Sequence, residues 1–163
     1  MPDIFLDLRR IDYRSDQNAL VSAWRAYADA LFIASSGATR SFSFIVDPGA
    51  PFSVLPFSLW HDCNLQWHSL GQQLTRQGSQ VAEPLQWHNV PCYLGETTAY
   101  LIDLKTGVQA GPFLVVAKFA CHRNPDAHLE TISLFGMNFL TDNLLRLVLD
   151  GTSGALVGCF SIP

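Results

Sequence analysis

Asp47 stands between two apolar runs, Phe42-Ser43-Phe44-Ile45-Val46 before it and Phe52-Ser53-Val54-Leu55 after it, and Pro48-Gly49 obliges the chain to turn there. Proline sets φ at the second position of such a turn and glycine accepts the positive φ that follows. Asp-Pro-Gly is also an ordinary surface turn, and a turn alone is the plainer reading of these three residues. The apolar flanks argue for more. Strands of this composition are drawn into a core, so Asp47 is expected to sink into the domain, where a lone carboxylate is costly without a partner.

The rest of the chain reads as short β-like runs separated by turn residues: Ile4 to Leu8, Tyr27 to Ala34, Ser41 to Val46, Tyr93 to Leu104, Gly111 to Phe119, Leu144 to Leu149 and Ala155 to Ile162. That spacing predicts a barrel or sandwich. Ser35-Ser36-Gly37-Ala38-Thr39-Arg40 predicts a hairpin that sets Tyr27 to Ala34 antiparallel to Ser41 to Val46. Two short helices are expected, Phe57 to Leu65 and Met137 to Asn143. The polar, Gln-rich stretch Ser69 to Asn89 reads as a surface loop or hairpin. The 163 residues, 48% of them hydrophobic, suit one domain with one core.

Charged residues make up 15% of the chain, the net charge is −4, and no basic cluster exceeds Arg9-Arg10, which argues against a nucleic-acid partner. The run Ala28 to Ser35 is too short to span a bilayer and too far from a basic start to serve as a signal peptide, so no membrane partner and a soluble, cytoplasmic protein are expected. Cys63, Cys92, Cys121 and Cys159 form no Cys-x-x-Cys pair and are expected to be reduced, mostly buried thiols.

A second segment matters beside Asp47. About ninety residues later, Ile132-Ser133-Leu134-Phe135-Gly136-Met137-Asn138-Phe139-Leu140 runs an apolar strand into a glycine and a helix. Phe44-Ile45-Val46-Asp47-Pro48-Gly49-Ala50 and this segment together resemble the retropepsin-like aspartic peptidases, in particular the bacterial retroviral-type domains. That family pairs an apolar-apolar-Asp-Thr/Ser-Gly-Ala loop with a later apolar-apolar-Gly and helix. The resemblance covers about residues 40 to 163; residues 1–40 are an N-terminal extension with little family signal.

The resemblance implies a mainly β, retropepsin-like closed β-barrel with one or two short helices, working as an aspartic endopeptidase on a peptide or protein substrate, without cofactor or metal. It implies Asp47 as the catalytic acid, Pro48, Gly49 and Ala50 as its loop, and Leu134, Phe135 and Gly136 as the support behind that loop. A flap is implied within Gln72 to Glu83, with Gly78 at its tip; a plain surface loop is the other reading of that stretch. One acid loop per chain implies a homodimer, because hydrolysis by this chemistry takes two carboxylates. Asp150-Gly151-Thr152-Ser153-Gly154 follows an apolar run too, but its glycine directly after the acid predicts a hairpin turn instead.

The chain departs from the family at Pro48, where Thr or Ser is usual. Proline lacks the hydroxyl and the N–H that interlock the two loops across a dimer, although it stiffens its own turn. This motivates an alternative: a catalytically impaired retropepsin-like dimer that binds peptides or proteins without cutting them.

Other constellations are weaker. His61, His68, His88, His122 and His128 show no paired-ligand spacing with the cysteines. No Gly-x-Ser-x-Gly elbow is present. Trp24, Trp60, Trp67 and Trp87 with eleven phenylalanines could line an apolar-ligand barrel, although core packing is the plainer role.

Ala50 bears on pH. A serine there could donate to the carboxylate and lower its pKa, whereas alanine cannot. Peptide cleavage assayed across pH is therefore expected to peak on the mildly acidic to neutral side; a peak confined to strongly acidic buffer contradicts this.

Overall fold

Alternation of small or aromatic core residues with polar ones builds the central hairpin. In β3 (Leu20–Ile33) Ala26, Ala28, Ala30 and Phe32 are buried, and in β4 (Thr39–Val46) Phe44 and Val46 are. The two pair antiparallel from Ala26↔Val46 to Ile33↔Thr39, so the turn is tighter than the expected Ser35–Arg40: Thr39 and Arg40 already belong to β4. The protein is seen here as a computed structural model that describes residues 3–56, 58–59, 66–68, 72–73, 83–84, 86–87, 90–120, 133–152 and 157–162.

The architecture is mainly β. Ahead of β3 lie β1 (Ile4–Phe5) and β2 (Asp7–Arg14); after β4 come β5 (Ser53–Leu55), β6 (Gln66–His68), β7 (Gln72–Gln73), β8 (Glu83–Pro84) and β9 (Gln86–Trp87). The long strands β10 (Val90–Ile102) and β11 (Gln109–Ala120) follow, then β12 (Leu134–Phe135), helix α1 (Met137–Asp142), β13 (Arg146–Asp150) and β14 (Val157–Ser161). One large sheet runs in the order β2-β3-β4-β12-β5-β11-β10-β6, and β10 also pairs back onto β3 through Leu101↔Ala30. A smaller sheet has the order β1-β14-β13.

Several expectations change in detail. The single strand Ile4 to Leu8 divides at Leu6 into β1, paired to β14, and β2, paired to β3. β3 starts at Leu20 and not at Tyr27, because its first residues pair with β2 from Arg14↔Leu20 to Asp7↔Tyr27. That ribbon was hidden from pattern reading because most of its residues on both faces are exposed, so no core-facing alternation marks it. Of the helix expected at Phe57 to Leu65 only Ser58 and Leu59 are described, and both are helical; the remainder lies outside the described residues. α1 falls where Met137 to Asn143 predicted it.

Aromatic rings tie the layers together. Phe44 stacks on Phe135 at 4.1 Å and Phe135 on Phe139 at 4.0 Å, while Phe139 meets Phe160 of the smaller sheet at 6.1 Å. All four are fully buried. Offset and stacked rings at such distances add to the stabilisation from burial alone. Cys92 and Cys159 are buried as well.

Asp103 anchors the N-terminus. It accepts hydrogen bonds from the N–H of Phe5 (2.8 Å) and from the N–H (2.8 Å) and hydroxyl of Thr106. The Thr106 hydroxyl first, and then the Phe5 N–H, hold its carboxyl below the ordinary aspartate range. A carboxylate with a depressed folded pKa stabilises above its unfolded value and loses that contribution as pH falls through the folded one. Asp103→Asn should therefore lower stability to urea at neutral pH, with the gap from wild type closing progressively below about pH 4. A gap of constant size down to the acid end contradicts the role.

Candidate active site

β4 and β5 are consecutive in the chain yet not neighbours in the sheet. β12 is inserted between them, parallel to β4 (Leu134↔Ile45, Phe135↔Val46) and antiparallel to β5 (Leu134↔Val54). The connection 47–52 must therefore cross the end of β12. Hydrogen bonds fasten this crossing: the N–H of Asp47 donates to the Phe135 carbonyl at 2.9 Å, and the N–H of Ala50 to the Asp47 carbonyl at 3.1 Å.

The first turn of α1 closes the arrangement from below. Met137 and Asn138 donate their N–H groups to the carbonyls of Ala50 (2.7 Å) and Pro51 (3.3 Å). Helix-start N–H groups have no partners within the helix, so the loop carbonyls satisfy them. Gly136 lies where the backbones press closest: a Cβ there would stand 2.6 Å from the Phe52 carbonyl carbon and 2.7 Å from the Ala50 oxygen. Neither is a movable side chain, so only glycine fits.

Behind the loop sits a polar cluster in apolar surroundings. Ser53, fully buried, donates its N–H (2.8 Å) and its hydroxyl (3.0 Å) to Asn138 Oδ1, and its Oγ accepts from the N–H of Gly136 at 3.1 Å. Asn138 Nδ2 donates to the Val116 carbonyl of β11 at 2.6 Å. Every buried polar group in this set has a partner, the condition under which such clusters hold a single geometry.

Asp47 itself is exposed in the single chain, which corrects the expectation that its flanks would sink it. The apolar flanks do enter the core, as Phe44, Val46, Val54 and Leu55. β4 ends at Val46, however, and the turn carries the next residue past the rim of that core. The carboxylate is still held: the N–H of Gly49 donates to Oδ1 at 2.9 Å, and a Cβ on Gly49 would crowd that oxygen at 3.1 Å. Asp47 and Pro48 border a groove of about 580 Å³ that is also lined by Trp24, Arg25, Ile45, Leu134, Leu147 and Leu149.

The structure thus brings Asp47, Pro48, Gly49, Ala50, Leu134, Phe135 and Gly136 together, the first three exposed and the last three buried. Gly78 lies outside the described residues; β7 and β8 on either side of it pair through Gln73↔Glu83. Asp150 ends β13 in a hairpin to β14, its carboxylate accepting from the N–H and hydroxyl of Thr152, which depress its pKa. No group of three or more metal-ligating side chains occurs among the described residues.

Sequence reading passed over Ser53 and Asn138, although each is a polar residue within an apolar run and so must find a partner inside. It named Trp24 only as a candidate lining of an apolar-ligand barrel and gave Arg25, Leu147 and Leu149 no role; only tertiary placement brings these four to the groove. If Ser53 and Asn138 act as one unit, their separate alanine variants should each lose about 1–3 kcal/mol to denaturant. A double-mutant cycle should then show coupling of about 1 kcal/mol or more; additive losses contradict a shared network.

No family model and no curated protein matches the chain. Among solved structures, it is similar to a retropepsin-like aspartic protease from Rickettsia conorii, at 15% identity and a TM-score of 0.38, over 98% of this chain and 96% of that one. A likeness that distant decides nothing about activity.

Proposed function

We propose that the protein is an aspartic endopeptidase of retropepsin-like architecture, working as a homodimer with Asp47 of each copy facing the other across the two-fold axis. The observation that carries this reading is the state of Asp47 in one chain. Its loop is clamped by backbone contacts, and its carboxylate, oriented by the Gly49 N–H, is exposed at the rim of a largely apolar groove. A loop merely reversing the chain has no need of such a foundation.

The pairing of β10 back onto β3 closes the ring β3-β4-β12-β5-β11-β10, which we read as the barrel of this fold. A dimer surface is available at β13. Among the described residues this strand pairs with β14 alone, and Leu147 and Leu149 on it line the same groove as Asp47. Leu149 is 56% exposed in the single chain. Two copies joined along β13 would bury these leucines and bring the two acid loops to the axis.

In that arrangement the carboxylates share one proton, since like charges so close do not both ionise. The ionised one takes a proton from water as the water oxygen bonds to the scissile carbonyl carbon. The protonated one gives its proton to the carbonyl oxygen. Collapse of the tetrahedral intermediate breaks the C–N bond, and a proton passes to the departing amine. The buried Ser53–Asn138–Gly136 network would keep each loop in register for these transfers.

The alternative, a peptide-binding dimer made inactive by Pro48, predicts a different outcome at the same residue. Wild type and Asp47→Asn should be incubated with a diverse peptide mixture, with peptide binding and mass in solution followed alongside. Loss of cleavage by about a thousandfold or more, with peptide binding retained, is the expected result. Wild type that binds peptides and never cuts them favours the binding module, and cleavage undiminished in Asp47→Asn rules out the assigned chemistry.

A further inference from the structure

β3 outlasts its neighbour. Its pairing with β4 ends at Ala26↔Val46, where the chain turns away at Asp47, but β3 itself extends through Leu20–Arg25. There β2 occupies one edge, from Arg9↔Arg25 to Arg14↔Leu20. The edge that β4 vacates has no strand partner among the described residues.

Alternation identifies the groups on that edge. Ile45 and Asp47 send their N–H groups to Ser133 and Phe135, on the β12 side, so Phe44 and Val46 face β3 at Ala28 and Ala26. Stepping by two along β3, Trp24, Ser22 and Leu20 turn their N–H and C=O groups to the vacated edge, while Val21, Ala23 and Arg25 face β2.

The two rims of this ribbon differ in charge. β2, the outer strand, carries Arg9, Arg10, Asp12 and Arg14, with Arg9 paired to Asp7 and Arg10 to Asp12. Charges of this kind guard an exposed edge against added strands. Leu20-Val21-Ser22-Ala23-Trp24 carries none, although Leu20 is 64% and Trp24 56% exposed. The guarded rim faces away from the acid and the unguarded one begins beside it.

We propose that the Leu20–Trp24 edge is a docking rail for an extended polypeptide, which adds to the sheet as a strand in the line of β4 and so leads toward Asp47. The inference rests on the reading of Asp47 as the cleaving acid and specifies its substrate: an unfolded segment bound largely through its backbone, with an apolar side chain set against Trp24. A second copy of the same edge does not fit. Antiparallel pairing centred on Ser22 would leave the two Asp47 loops at opposite ends of the paired segment, about 20 Å apart, too far to share a proton.

The test uses fluorescein-labelled casein, a largely unfolded polypeptide, with the Asp47→Asn protein so that nothing is cut. Ser22→Pro removes an N–H from the vacated edge and none from the β2 ladder. It should weaken casein binding about tenfold with mass in solution unchanged. Should Ser22→Pro not fold by circular dichroism, the double variant Leu20→Lys/Trp24→Lys, at two exposed positions, guards the edge instead and should weaken binding likewise. Unchanged binding in a folded edge variant, no casein binding by the Asp47→Asn parent, or a fall in mass accompanying the loss of binding each overturns the rail. Cleavage of the same casein by wild type reads the acid separately: casein held at the edge but left uncut sinks the peptidase and spares the rail.

Discussion

The close passage of Gly136 beneath the acid loop is the constraint on which the rest of this structure depends. With β12 inserted between β4 and β5, two strands adjacent in sequence are held apart and the residues joining them must bridge the gap. Backbone then lies on backbone: the Ala50 and Phe52 carbonyl groups crowd the space a Cβ at 136 would fill, and the Asp47, Met137 and Asn138 N–H groups are all consumed in the crossing. A loop bound at so many points has little freedom left, and it presents its carboxylate, oriented by the Gly49 N–H, at the rim.

This foundation is continuous with the core. Phe135 precedes Gly136 and stacks between Phe44, from the strand that delivers Asp47, and Phe139, from the helix that receives the chain. Phe139 in turn touches Phe160 in the smaller sheet, whose outer strand among the described residues, β13, borders the groove. Displacing any of these rings would move the acid, because close-packed interiors transmit such shifts and do not absorb them. The polar cluster of Ser53 and Asn138 adds direction to that packing: it ties β5, α1 and β11 at the loop's back through hydrogen bonds that fit one arrangement.

The legible part of the fold lay where one face is buried. The β3–β4 hairpin alternates cleanly, α1 begins at a glycine beside an apolar run, and β13, which Asp150 ends, pairs antiparallel with β14 next in the chain, so each was readable from residues alone. The β2–β3 ribbon was not, because strands exposed on both faces have no reason to alternate. Asp47 shows the opposite failure. Its apolar neighbours were read correctly as core, but burial does not spread along a chain past the residue where a strand ends. The groove residues Trp24 and Leu149 come from distant parts of the sequence and share no local pattern, so only the fold could gather them.

A single chain presents one clamped acid and one open strand beside it, and the proposed chemistry is incomplete without a second copy. The most direct test measures cleavage rate per chain and mass in solution together, by sedimentation, over a range of protein concentrations. If the account is right, the rate rises in step with the fraction sedimenting at twice the 18.0 kDa of one chain. A rate per chain that stays constant in solutions holding only 18.0 kDa species contradicts it.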